Sequence, residues 1–136
     1  MNLGAKLHER WAADATLNGL LPVANVSTGT WFDVEPSLAT GYATITFPGD
    51  SAGVESSDDS SIERVLVRIT NYAGRDYYDE GEAISDAVKA AFHRATITLD
   101  ASDSVRSLMW QGRQRIDDDD GNWYFVNDFN CLIQRG

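Results

Sequence analysis

The sequence predicts an α+β fold: one domain over residues 1–136, with an antiparallel or mixed sheet of four to five strands and two main helices packed on it. Three patterns carry this expectation. Apolar residues recur at helical spacing in two places, Leu3, Leu7 and Trp11 at the start and Ile84, Ala87, Val88, Ala91 and Phe92 later. Alternation of apolar and polar residues runs through Ile62–Thr70 and again along Asn122–Gln134. Strands joined by hairpins, with helices between them, imply helices laid on a face of the sheet. A chain of 136 residues falls in the usual range of one domain and buries enough surface for one core without staples.

Taken in order, Asn2 is placed to cap a first helix that runs to Leu17, and Asn18-Gly19 ends it with a left-handed backbone. A short strand follows near Val23–Val26 or Thr30–Val34, with Pro22 and Gly29 as breaks. Tyr42–Phe47 is rich in Thr, Ile and aromatic residues and reads as a strand stopped by Pro48-Gly49. Asp50–Ser61 is almost entirely Ser, Asp, Gly and Glu and reads as a loop. In the strand Ile62–Thr70, Val65, Val67 and Ile69 share one face, with Arg64, Leu66 and Arg68 on the other.

The second helix is expected over Tyr78–Arg94. Asp79, Glu80 and Glu82 suit the positive end of its dipole, and His93 and Arg94 suit the negative end. The C-terminal stretch reads as a hairpin with arms Val105–Ile116 and Asn122–Gln134, joined by Asp117-Asp118-Asp119-Asp120-Gly121. Trp123, Phe125, Phe129, Cys131 and Ile133 form a core row that only Asn127 interrupts. The opposite row, Tyr124, Val126, Asp128, Asn130 and Leu132, is expected to be half exposed.

Composition excludes several functions. Twenty-one acidic residues against 11 basic give a formal net charge of −10, which disfavours wrapping nucleic acid. One cysteine, Cys131, permits no internal disulfide, and with two histidines it builds no metal cluster. No membrane-spanning or secretory run is visible, so the chain is expected to be made and used in the cytoplasm or in an assembly formed there. Cys131 alternates with core residues and reads as a small buried hydrophobe. His8 and His93 stand in no metal-binding spacing. The run Asp117–Asp120 lacks the alternate acidic positions of an EF-hand loop, and Asn127 or Asp128 stands where its bidentate Glu belongs, which leaves at most weak divalent-cation binding. With no phosphate-binding Gly motif either, the expectation is no enzyme, no cofactor and no metal site.

Two candidate surfaces remain. Trp110, Arg113 and Arg115, followed by Asp117, Asp118, Asp119 and Asp120, form a set suited to a subunit or partner interface, since Trp and Arg are enriched at binding hot spots. The same arginines also suit a role as cross-strand counter-ions to the aspartates. The loop carrying Asp50, Glu55, Asp58 and Asp59 is a candidate docking segment that orders on contact.

The order of parts resembles the tail terminator, or tail-completion, proteins of long-tailed phages and related tail-like particles. The resemblance lies in an opening helix, the strand Val65-Leu66-Val67-Arg68-Ile69 and the link Asn71-Tyr72-Ala73-Gly74. It continues through the helix with Ala83-Ile84 and Val88-Lys89-Ala90-Ala91-Phe92, the strand end Arg113-Gln114-Arg115-Ile116, the acidic turn and Trp123–Phe129. Asp50–Ser61 and Leu20–Pro36 depart from the pattern. The resemblance implies a structural subunit, not an enzyme, that forms a homo-oligomeric ring, a hexamer, on the finished tail tube. Its partners would be the tail tube protein and the head–tail connector, with DNA only passing through the opening and no membrane involved. It would reside in the tail or neck of the virion. A neck or connector adaptor shares this build. From a different class, a monomeric ligand-binding module using Trp31, Trp110 and Trp123 is the alternative.

Overall fold

The computed structural model describes residues 3–29, 41–48, 62–99 and 103–134. Helices α1 (Leu3–Ala13) and α2 (Ala15–Leu20) are followed by a single 3-10 turn (Val23–Asn25) and strand β1 (Val26–Thr28). Then come β2 (Tyr42–Thr46), β3 (Ile62–Ala73), α3 (Tyr78–Phe92), β4 (Ser104–Asp117) and β5 (Trp123–Gln134). The sheet has five strands in the order β1-β2-β3-β5-β4, antiparallel except for the β1–β2 pair. The expected α+β fold with a mixed sheet is therefore present.

The core lies between one face of this sheet and the helices. Leu3, Leu7 and Trp11 from α1, Ile84, Val88, Ala91 and Phe92 from α3, and Val65, Val67, Ile69, Phe129, Cys131 and Ile133 from the sheet form it. Each large apolar side chain removed from water here contributes about 1.5–3 kcal/mol. The alternation read along β3 and β5 is reproduced, with Val65, Val67 and Ile69 buried beside Phe125, Phe129, Cys131 and Ile133. The opposite row of β5, from Tyr124 to Leu132, is half-buried as expected.

Several boundaries differ from the expectation, each for a local reason. The first helix does not run to Leu17. Asp14 takes an extended backbone (φ −84°, ψ 110°) and its carboxylate accepts from Leu17 N at 2.9 Å, capping a separate helix α2. Asn18 and Gly19 lie inside α2 and do not end it; the Asn18 amide oxygen accepts from Val23 N at 2.9 Å. The expected strand over Val23–Val26 is a 3-10 turn, and strand geometry begins only at Val26. Asn2, Thr30–Val34 and Asp50–Ser61 lie outside the described residues.

The link Asn71-Tyr72-Ala73 is the last part of β3, because Tyr72 pairs with Tyr42 on one side and Tyr124 on the other. Helix α3 ends at Phe92, two residues early. Arg94 adopts φ 63°, and its N–H donates to Leu108 O of β4 at 2.8 Å, turning the chain out of the helix. The guanidinium of Arg10 donates to Ala91 O at 3.0 Å, satisfying a free carbonyl at that end.

Gly81 sets how closely α3 approaches the sheet. A Cβ at this position would lie 2.5 Å from the Phe125 ring and 2.8 Å from Ala73 Cβ. Ala is the better helix former by about 1 kcal/mol, so in open space Gly81→Ala would stabilise. Here the clash dominates: Gly81→Ala is expected to destabilise by about 1–3 kcal/mol, read as a lower urea midpoint at unchanged slope.

Candidate functional site

The predicted interface residues sit on the β4–β5 hairpin, where β4 is an edge strand. Trp110, Arg113, Arg115 and Asp117 pair with Phe129, Asn127, Phe125 and Trp123, so they lie on the face that carries the helices. A β-bulge between Trp110 and Gly112 shifts the register by one residue, which keeps Trp110 and Arg113 on the same side.

Helix α3 presents Glu82, Ser85, Asp86 and Lys89 at three- and four-residue spacing along the flank facing β4. Arg113 is clasped by this flank. It donates to Asp86 at 2.6 Å, to Ser85 O at 3.1 Å and to Asn127 Oδ1 at 3.1 Å, and its side chain is 9% exposed. Trp110 Nε1 donates to the same Asn127 oxygen at 2.9 Å, and Lys89 Nζ lies 3.9 Å from the Trp110 ring centroid. Asn127 completes the set by donating to Ser85 Oγ at 2.8 Å. His93 Nδ1 accepts from Trp110 N at 3.0 Å, so it stitches the helix end to β4 through a lone pair. Arg115 is more open, 42% exposed and 3.7 Å from Glu82.

The acidic turn is organised from within. One oxygen of Asp118 accepts from the N–H groups of Asp120 and Asn122, each at 2.9 Å, and the other accepts from the Asn122 amide and the Tyr124 hydroxyl at 3.3 and 3.1 Å. Partial burial works to raise the Asp118 pKa, but these hydrogen bonds to the charged form outweigh it and hold the carboxyl below its ordinary range. Arg75 donates twice to Asp120 O, at 3.1 and 2.6 Å, and Gly121 supplies the positive φ of 82°. The Asp117, Asp119 and Asp120 side chains point to solvent as exposed charges.

The sheet face away from the helices is polar and aromatic. Tyr42 stacks on Tyr72 at 4.6 Å between centroids, Tyr72 meets Tyr124 edge-on at 5.0 Å, and Arg68 forms a two-point pair with Asp128 at 2.8 and 3.1 Å. Thr44, Thr46, Thr70 and Arg68 line a shallow concavity of about 370 Å³ there. On the helix face Trp123 packs against Tyr78 at 4.7 Å. Trp110 and Trp123 are thus held by intramolecular partners, and Trp31 lies outside the described residues.

Cys131 is fully buried, and burial first, with the Glu63 carboxylate second, pushes its thiol up to about 12. Asp50, Glu55, Asp58 and Asp59 fall outside the described residues. Sequence reasoning missed Ser85, Asp86, Lys89 and Asn127 as one network. Its only trace was the single polar residue interrupting the apolar row of β5.

Residues 5–134 match the family model described as tail completion protein gp17. No curated protein matches in sequence. One solved structure with a similar fold comes from the virion of a native gene transfer agent particle. It has TM-score 0.78 and 18% identity, covering 98% of this chain and 95% of that one. A second has TM-score 0.63 and 13% identity, covering 98% and 94%. At these identities the two structures share the fold.

Two outcomes are expected from the network and the turn. Asn127→Leu leaves the Trp110 indole N–H and one Arg113 donor without acceptors, which should cost about 3 kcal/mol and lower the melting temperature on the order of 10 °C. A calorimetric scan checks this. For Asp118 the folded-state pKa lies below the unfolded one, so its contribution is present above the unfolded carboxylate pKa and is lost as pH falls through the folded value. Amide exchange at Asp120 and Asn122 should therefore accelerate, beyond its intrinsic change, on acidification below about pH 4. Asp118→Asn should give the looser turn already at neutral pH.

Proposed function

The chain belongs to the tail completion protein gp17 family, and from that premise we propose that it caps the finished tail tube as a ring and forms the joint to the head connector. As a member it is a structural protein of a phage-like virion tail. The finer reading rests on one observation above others: the family match runs from residue 5 to residue 134 and so takes in every described helix and strand except the first two residues of α1.

The surfaces described above support a ring. A closed ring needs two unlike patches on each subunit that meet head-to-tail. On β4, Leu108 O and Trp110 N are taken by Arg94 N and His93 Nδ1. Beyond Trp110, nothing among the described residues pairs with the outer side of this strand. The stretch from Gln111 to Asp117 is thereby offered to a neighbour's sheet. Arg115 and the tip aspartates flank it, while Arg113 is engaged inside the subunit. The loop bearing Asp50, Glu55, Asp58 and Asp59 is the proposed contact to tube or connector. The ring would be a hexamer, and its net negative charge would let DNA slide through without sticking.

Electron microscopy of particles made after deleting the gene tests this reading. Filled heads without tails beside overlong tubes are the expected outcome, since tube growth has lost its stop. Complete infectious particles would overturn the proposal.

A further inference from the structure

The helix-free face of the sheet carries opposite chemistry at its two ends. Among the described residues, four large apolar side chains are exposed: Leu20, Ile62, Tyr77 and Ile116. Two of them stand on this face, Ile116 at the hairpin tip (42% exposed) and Ile62 at the far corner (37%). Ile116 pairs with Tyr124 and Ile62 with Gln134, ten residues apart along β5. That separation is about 34 Å at the rise of an antiparallel strand. Beside Ile116 are the exposed carboxylates of Asp117, Asp119 and Asp120, and no ion pair forms on them among the described residues. Arg75 donates to the backbone oxygen of Asp120 and not to its carboxylate.

The far corner presents two arginines on this face, with Glu63 and Asp103 as the nearest carboxylates along the chain. Arg64 is exposed on the same face, pairs in register with Leu132 and has no ion pair among the described residues. Arg106, exposed in the other bulge of β4, donates to the Gln134 amide oxygen at 2.7 Å and so is held at this corner, and no ion pair forms on it among the described residues. Each end thus combines an exposed isoleucine with two or more exposed charges, negative at the tip and positive at the corner. The two ends of one rigid hairpin cannot meet within one molecule.

We propose that the tip of one copy, Ile116 with Asp117, Asp119 and Asp120, docks on the corner formed by Ile62, Arg64 and Arg106 of a second copy. This deepens the ring reading and rests on it. Both halves of the contact are on this chain, which identifies the occupant as a second copy. The patches are unlike, so the contact is heterologous and propagates from subunit to subunit until rotation closes it. Its charged part is solvent-exposed, so association weakens with salt.

Sedimentation velocity of the full chain at high concentration, in low and high salt, tests this with two variants, D119K/D120K and R64E/R106E. All four positions are exposed, and circular dichroism checks that both variants fold. Wild type is expected to oligomerise at low salt and dissociate at high salt. Each variant alone should associate about tenfold or more weakly, because like charges then face each other. An equimolar mixture of the two should regain association, since each reversed end finds its opposite on the other variant.

A monomeric wild type, variants that associate like wild type, or a mixture that stays monomeric would each overturn the docking. So would variants that oligomerise normally yet fail to complete particles, which would assign the corner to another virion protein. These failures leave the tail-capping reading intact, because the gene deletion decides that reading without reference to this contact.

Discussion

Two buried asparagines on adjacent strands fix helix α3 to the sheet, and the rest of the hairpin's geometry depends on that fixture. Asn71 of β3 donates to Gly81 O at 3.0 Å, and Asn127 of β5 donates to Ser85 Oγ at 2.8 Å, one helical turn further along. Burial of apolar surface is non-directional and by itself specifies the helix position less sharply than a hydrogen bond does. Buried amides are not indifferent, since a shift that breaks their hydrogen bonds leaves a desolvated polar group unpaired. Gly81 allows the helix to come close enough for both bonds to form.

From Asn127 the constraint spreads to the edge strand. Its oxygen receives Trp110 and Arg113 together, and the bulge before Gly112 supplies the register that lets both reach it. Arg113 carries its charge out to Asp86, which is 64% exposed, so the buried guanidinium is neutralised at the surface and not in the core. The arginine fork suits this task because its donors diverge in one plane toward three different acceptors. A long edge strand is an invitation to unspecific pairing. Here His93 and Arg94, just past α3, occupy part of that edge, and among the described residues the distal part is open, which suits a protein of a tail assembly.

Charge follows the same division. The arginines near α3 are matched by Asp86 and Glu82 within the subunit, and Arg68 by Asp128. At the hairpin tip Asp118 shapes the turn, while the carboxylates of Asp117, Asp119 and Asp120 face outward. Because the turn is ordered by Asp118 and by Arg75 on a backbone oxygen, the outward carboxylates are presented on a fixed scaffold. A contact made there pays little ordering entropy.

The sequence by itself determined the periodic parts of this protein: the alternation of Val65, Val67 and Ile69, the apolar stripe of α3, and the hairpin with its Asp-Gly turn. These are local patterns, and burial on one face is enough to specify them. Its order of parts also carried the resemblance to tail-completion proteins. Sequence did not reveal the break at Asp14, because a helix N-cap and a helix-interior Asp look alike until the Leu17 N–H finds its acceptor. Nor did it reveal that Arg113 points into the subunit while Arg115 stays open, since both read as the same face of one strand. That difference was decided only by tertiary structure, through the juxtaposition of Ser85, Asp86 and Asn127, residues that meet because a helix and a hairpin far apart in sequence are packed together.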